Sequence, residues 1–132
     1  MITMNGKYLL DTNYAIQLLS GLKTVEERLS RNPDLYLSAI VLGELFFGVY
    51  RSHHIQHNLK QIGELIKIID VLSCDVKTSE YFGAIKNQLL QKGRPIPEND
   101  LWLAALAKQH NLTVVTRDQH FQEVEQLDVT TW

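Results

Sequence analysis

Apolar and polar positions follow two rhythms along this chain. The runs KYLL (7–10), LYL (35–37), IIDVL (68–72) and LTVVT (112–116) have the length and composition of strands, and LTVVT is the clearest of them. The segments between them carry helical spacing. Asn13 to Ser20 offers Tyr14, Ile16, Leu18 and Leu19 to a core, and Thr24 opens VEERLSR with Glu27 three residues on, the pattern of a capping box. Asn32-Pro33-Asp34 breaks that helix, and Ser38 caps the next, AIVLGELFFGVYRS. This third helix is apolar on nearly every side, which predicts burial in the fold or in a subunit contact. Ile55, Leu59, Ile62, Leu65 and Ile66 make one face of an amphipathic helix ending at Ile68. Asp75 caps a long helix through Gln91, with Gly93 as its stop. Pro95 and Pro97 force extended chain before Asn99 and Asp100 start ENDLWLAALAKQHN, which Asn111 ends. A turn or helix, DQHFQEV, leads to a terminal LDVTTW. Strands alternating with helices predict an α/β fold, its mostly parallel sheet covered on both faces.

Composition narrows the class. The 132 residues are enough for one domain with its own core, and 45% hydrophobic with 21% charged residues is ordinary for a globular protein. A single cysteine, Cys74, excludes an internal disulfide framework and a multi-cysteine zinc site. No apolar run reaches the roughly 20 residues that span a bilayer, and the N-terminus has no secretory pattern, so the expected location is the cytoplasm with no membrane partner. The net charge of -2 gives no global basic footprint, so any nucleic-acid site must be local.

The candidate chemistry lies in carboxylates. In an open parallel sheet, ligands bind beyond the carboxyl ends of the strands, and Asp11 and Asp118 both follow strands there. Each is also a good helix cap, and that reading stays open for either one alone. Glu44 lies among Ile40, Val41, Leu42, Leu45, Phe46 and Phe47, with Arg51, two turns away, as its nearest basic residue. An ionised carboxylate buried without a partner is costly, so Glu44 calls for a cation, a proton or a distant Arg or Lys. Asp100 sits in a first turn where the helix dipole favours acids, and Arg94, Pro95 and Pro97 build a stiff approach to it. Four carboxylates at one edge would repel one another and titrate as a coupled set unless a cation neutralised them. All-oxygen ligation suits Mg²⁺ or Mn²⁺, whose natural chemistry here is phosphodiester cleavage.

The order LLDTN, then Glu44-Leu45 with a glycine three residues further, then GRPIPENDLWLAALA, then VVTRDQHF resembles the PIN-domain ribonucleases, most closely the VapC-type toxins of bacterial toxin-antitoxin pairs. The resemblance runs from Tyr8 to Trp132 and implies one nuclease domain over 1–132, with a three-layer α/β/α fold. By it, Asp11, Glu44, Asp100 and Asp118 are the metal-binding catalytic acids, while Asn13, Ser38 and Thr116 shape the site. It also implies Mg²⁺- or Mn²⁺-dependent endoribonuclease activity leaving 5′-phosphate and 3′-hydroxyl ends, a homodimer and a cognate antitoxin. Leu103 stands where the family often has Ile, and Trp102 is bulky for its position.

Arg94 and Arg117 flank the acids in sequence and are candidates for holding RNA phosphate; as surface residues or partners of an acid they have equally good structural explanations. Lys86 and Lys92 are candidates for a basic rim. His53, His54 and His57 lack the companion ligands of a metal site, whereas His120 is close to Asp118. Two rivals remain. A haloacid-dehalogenase-type phosphatase wants an acid two positions after Asp11, where this chain has Asn13; a noncatalytic PIN-like RNA- or protein-binding module would be free to lose acids.

Overall fold

The computed structural model describes residues 6–21, 27 and 34–132. The expected helix opened by Thr24 lies, apart from Glu27, outside the described residues, as does most of the Asn32-Pro33-Asp34 break. Five strands are described: β1 (Tyr8–Leu10), β2 (Leu35–Ser38), β3 (Asp70–Leu72), β4 (Thr113–Val115) and β5 (Val129–Thr130). With them are five α-helices, α1 (Thr12–Ser20), α2 (Ala39–Tyr50), α3 (Ile55–Ile68), α4 (Val76–Gln91) and α5 (Glu98–His110), and a 3₁₀ turn at Gln119–Glu123. The strands pair in the order β3-β2-β1-β4-β5, every neighbour parallel. Helices cover both faces in a three-layer α/β/α arrangement.

The central strands are buried on both faces and are therefore apolar runs rather than alternating ones, while β3 and β5 at the edges are only partly buried. Leu9, Leu10, Leu37, Val114 and Val115 are wholly buried, together with Phe121 of the 3₁₀ turn. Each such large side chain contributes about 1.5–3 kcal/mol of burial against the entropy of ordering the chain. Helix α5 passes through this interior. Leu101 and Leu103 to Ala107 are all buried, and its three alanines let α4 and the sheet approach closely. Trp102, bulky for its place, stacks on Phe82 of α4 with centroids 4.1 Å apart.

Strand order fixes where a site can form. The chain leaves β1 toward β2 and β3 on one side and returns to β4 and β5 on the other, so β1 and β4 meet where the winding reverses. Register pairs Leu10 with Val115, so the residues after them, Asp11 and Thr116, emerge side by side.

Helix α2 is buried in the fold on one side only: Val41, Leu45 and Val49 face the core, whereas Phe47 and Tyr50 are 64% and 62% exposed on the single chain. Ile16 of α1 and Ile66 of α3, expected at the core, are also exposed, because the buried stripes there are carried by Tyr14, Ala15 and Leu18 and by Ile62 and Leu65.

Candidate active site

Asp11 caps α1 and is tied to the chain after β4. Its backbone N–H donates to Val115 across the sheet, and one carboxylate oxygen accepts from the Thr12 amide at 2.7 Å as α1 begins. The other oxygen accepts from the Thr116 hydroxyl at 2.6 Å. Thr116 is buried and works twice, since its Oγ1 also accepts from the Asp118 amide at 2.9 Å. One hydroxyl therefore ties the chain after β4 to the acid after β1. Asp118 caps the 3₁₀ turn through the His120 amide at 2.9 Å, and its Oδ1 lies 2.9 Å from His120 Nδ1.

Glu44 is half-buried rather than enclosed, which weakens the case made from burial alone. It has partners the sequence did not reveal: Thr12 Oγ1 donates to one of its oxygens and Asn99 Nδ2 to the other. These bonds join α1, α2 and the first turn of α5 around one carboxylate. Thr12 and Asn99 were visible only as neighbours of Asp11 and Asp100; their link to Glu44 spans 32 and 55 residues. Ser38 is fully buried and caps α2 by accepting from the Val41 amide at 3.0 Å, which sets the start of the helix that carries Glu44. Asn13 is exposed on the first turn of α1, and among the described residues no hydrogen bond joins it to the four acids.

Asp100 shows what the four acids do to one another. Its pKa is pushed up to about 6, first by burial and then by the negative charges of Asp11, Asp118 and Glu44, with His120 opposing. Asp100 thus feels the charge of each of the other three carboxylates. Among the described residues no lysine or arginine forms a salt bridge with Asp11, Glu44 or Asp100. Nor do three metal-ligating side chains close into a ready-made cage there.

Charge of the opposite sign lies at the rim. Arg117 rests over the ring of Tyr14, 5.2 Å from its centroid. The Tyr14 hydroxyl is fixed by the backbone of Trp132, donating to its carbonyl at 2.8 Å and accepting from its N–H at 3.0 Å. Arg94 is exposed beyond α4. Lys86 pairs with Glu98 and Lys92 with Glu123, so neither is a free rim charge. His53, His54 and His57 are exposed around the start of α3. No described helix is long and apolar enough to cross a membrane.

The family described as PIN domain matches residues 8–127. Ribonuclease VapC1 of Haemophilus influenzae is 32% identical over 130 residues, covering 95% of this chain and 97% of that protein. The tRNA(fMet)-specific endonuclease VapC of Shigella flexneri is 31% identical, with 96% and 98% covered. Among solved structures, the DNA-bound VapBC complex of Salmonella typhimurium superposes with a TM-score of 0.87 at 29% identity, over 96% of this chain and 98% of that one.

Proposed function

The chain belongs to the PIN-domain family, and from that premise we propose that it is the endoribonuclease toxin of a VapBC-type toxin-antitoxin pair, dependent on Mg²⁺ or Mn²⁺. The observation that carries the metal is Asp100. A half-buried carboxylate beside three others, with no lysine or arginine bridged to it, has its pKa pushed up to about 6, and a cation bound among the four would offset the charge that raises it. The donor set fits a hard divalent cation, which accepts carboxylate oxygens and keeps several waters, so a cage closed by protein atoms is not required. When bound, such an ion offsets the charge that builds on a phosphodiester during attack by water.

The side chains around it divide the work. Asp11, Glu44 and Asp100 hold the ion, and Asp118 completes the acidic wall. Thr116 fixes the oxygen of Asp11, while Thr12 and Asn99 hold both oxygens of Glu44, so these carboxylates are oriented before any ligand arrives. Transfer RNA is the substrate class proposed first, by likeness to the Shigella relative. The partner is a cognate antitoxin. A groove lined by Ile16, Leu19, Leu45 and Val49 opens beside Glu44, with a form and polarity that suit an amphipathic segment lying across the site. Two copies of the chain are proposed to form a homodimer.

Purified protein incubated with bulk tRNA should cut it with Mg²⁺ or Mn²⁺ and cease with chelator, giving 5′-phosphate ends. Asp11→Asn and Glu44→Gln should lose the activity while melting as folded proteins. Cleavage undiminished in chelator, or by these variants, would remove the metal mechanism. A folded wild type that binds RNA or protein but cuts nothing would favour a noncatalytic module.

A further inference from the structure

Beside the acids, on the side of α4, lies a polar cleft of about 410 Å³. One bank is the turn after α4, with Arg94, Pro95 and Ile96; the other is the 3₁₀ turn, with Asp118, His120 and Glu123. A cleft of this size is within the range that takes a nucleotide-sized ligand. It shares Asp118 with the acidic site, so a strand bound at the acids has this cleft as an adjoining channel.

The backbone fixes the point from which its arginine emerges. Helix α4 ends in a Schellman turn, in which the Gly93 N–H donates to Leu90 at 3.1 Å and the Arg94 N–H to Leu89 at 2.9 Å. Gly93 has φ +70°, a conformation that favours glycine, and Pro95 stiffens the next step. The residue after such a glycine is commonly apolar and folded back on the helix. Here it is an exposed arginine, and it forms no salt bridge among the described residues. The other charges facing the cleft are accounted for: Glu123 pairs with Lys92 at 3.3 Å, and Asp118 holds His120. Arg94 is therefore the cleft's unbridged, permanently charged group, with Pro95 and Ile96 beside it and His120 on the facing bank.

We infer that this cleft is the subsite for the RNA nucleotide adjoining the scissile phosphate, with Arg94 gripping that nucleotide's phosphate and the walls of Pro95, Ile96 and His120 receiving its sugar and base. The inference rests on the nuclease reading above. Arg94 contacts substrate away from the reacting atoms, so its loss weakens binding rather than chemistry. Charge-assisted phosphate contacts also release counterions, so one such contact appears in the salt dependence of binding.

The test is steady-state cleavage of bulk tRNA with Mg²⁺ across a salt series, for wild type, Arg94→Gln, Arg94→Lys and, as a charge-matched control, Lys67→Gln on the exposed end of α3. Arg94→Gln should raise KM about tenfold with kcat within about twofold. Its log(kcat/KM) should fall with log salt less steeply than wild type, by about 0.7–1. Arg94→Lys should keep the wild-type salt slope with a smaller rise in KM, since it retains the charge and loses the bidentate fork. Lys67→Gln should match wild type. A folded Arg94→Gln with unchanged KM and slope overturns the cleft assignment and leaves the nuclease standing. A wild type that cuts no RNA brings down both.

Discussion

Helices α4 and α5 pack against each other and begin with opposite treatments of an acidic residue. At the start of α4, Asp75 closes a capping box: its Oδ1 accepts from the Thr78 amide and hydroxyl, each at 3.0 Å, and from Gln109 Nε2 at 2.9 Å. These donors, the Thr78 amide foremost, lower its pKa. At the start of α5, Pro97 supplies no side-chain cap, and Asp100 is pushed up to about 6 by burial and by its three acidic neighbours. Asp75 is an isolated acid whose Oδ1 is filled by fixed donors, the mark of a structural cap. Asp100 lies among like charges in a partly buried place, the mark of a functional candidate.

Exchanging the acid at each place should break the comparison most sharply. Asp100→Asn is expected to reduce RNA cleavage by about 1000-fold, the order of effect expected when several kcal/mol of transition-state stabilisation is lost. Asp75→Asn should leave cleavage within about twofold and lower the melting temperature. Equal losses of activity in the two folded variants would erase the distinction. A smaller effect is expected one step back from the acids, at Thr116→Val, which removes the hydroxyl joining Asp11 to the Asp118 amide. Cleavage should fall about 10–100-fold with the fold retained, as for other residues that orient metal ligands, and kinetics beside circular dichroism would check it.

The pH dependence of stability supplies a third test. In metal-free protein the folded pKa of Asp100, about 6, lies above its ordinary value of 3.8. The unfolded chain therefore ionises first, and Asp100's contribution is full below pH 4 and lost as pH rises through 6. In chelator, the melting temperature of wild type should fall relative to Asp100→Asn between pH 4 and 7. A constant difference would mean that the acids do not repel one another as described. The smallest effect is expected at Tyr14→Phe, which strips the hydroxyl from Trp132. Stability should drop by about 1 kcal/mol in denaturant unfolding, with cleavage changed little, because Tyr14 resembles Asp75 in having its polar atoms filled by the fold.

Most of the framework was legible in sequence because local rules determine it. Asp75 and Ser38 cap where their spacing says they should, Gly93 and Asn111 end their helices, and alternation of strand and helix gives the parallel sheet. The position of Asp11 beyond β1 also followed from order alone. Pairings across the fold did not. Asn99 and Thr12 reach Glu44 only because α1, α2 and α5 converge, and no local spacing encodes that convergence. Helix α2 is a related case: Phe47 is as apolar as Leu45 and Val49, so only packing reveals which of them faces outward on the single chain.

If the raised acid and its neighbours hold a cation, its binding is open to direct measurement. Mn²⁺ titrated at pH 7 into wild type, Asp75→Asn and Asp100→Asn, with free Mn²⁺ read by electron paramagnetic resonance, measures this directly. Saturable binding is expected in wild type and Asp75→Asn, weakening as pH falls below about 6 and largely lost in Asp100→Asn. Binding equally tight in all three proteins, or no saturable binding in wild type, would contradict it.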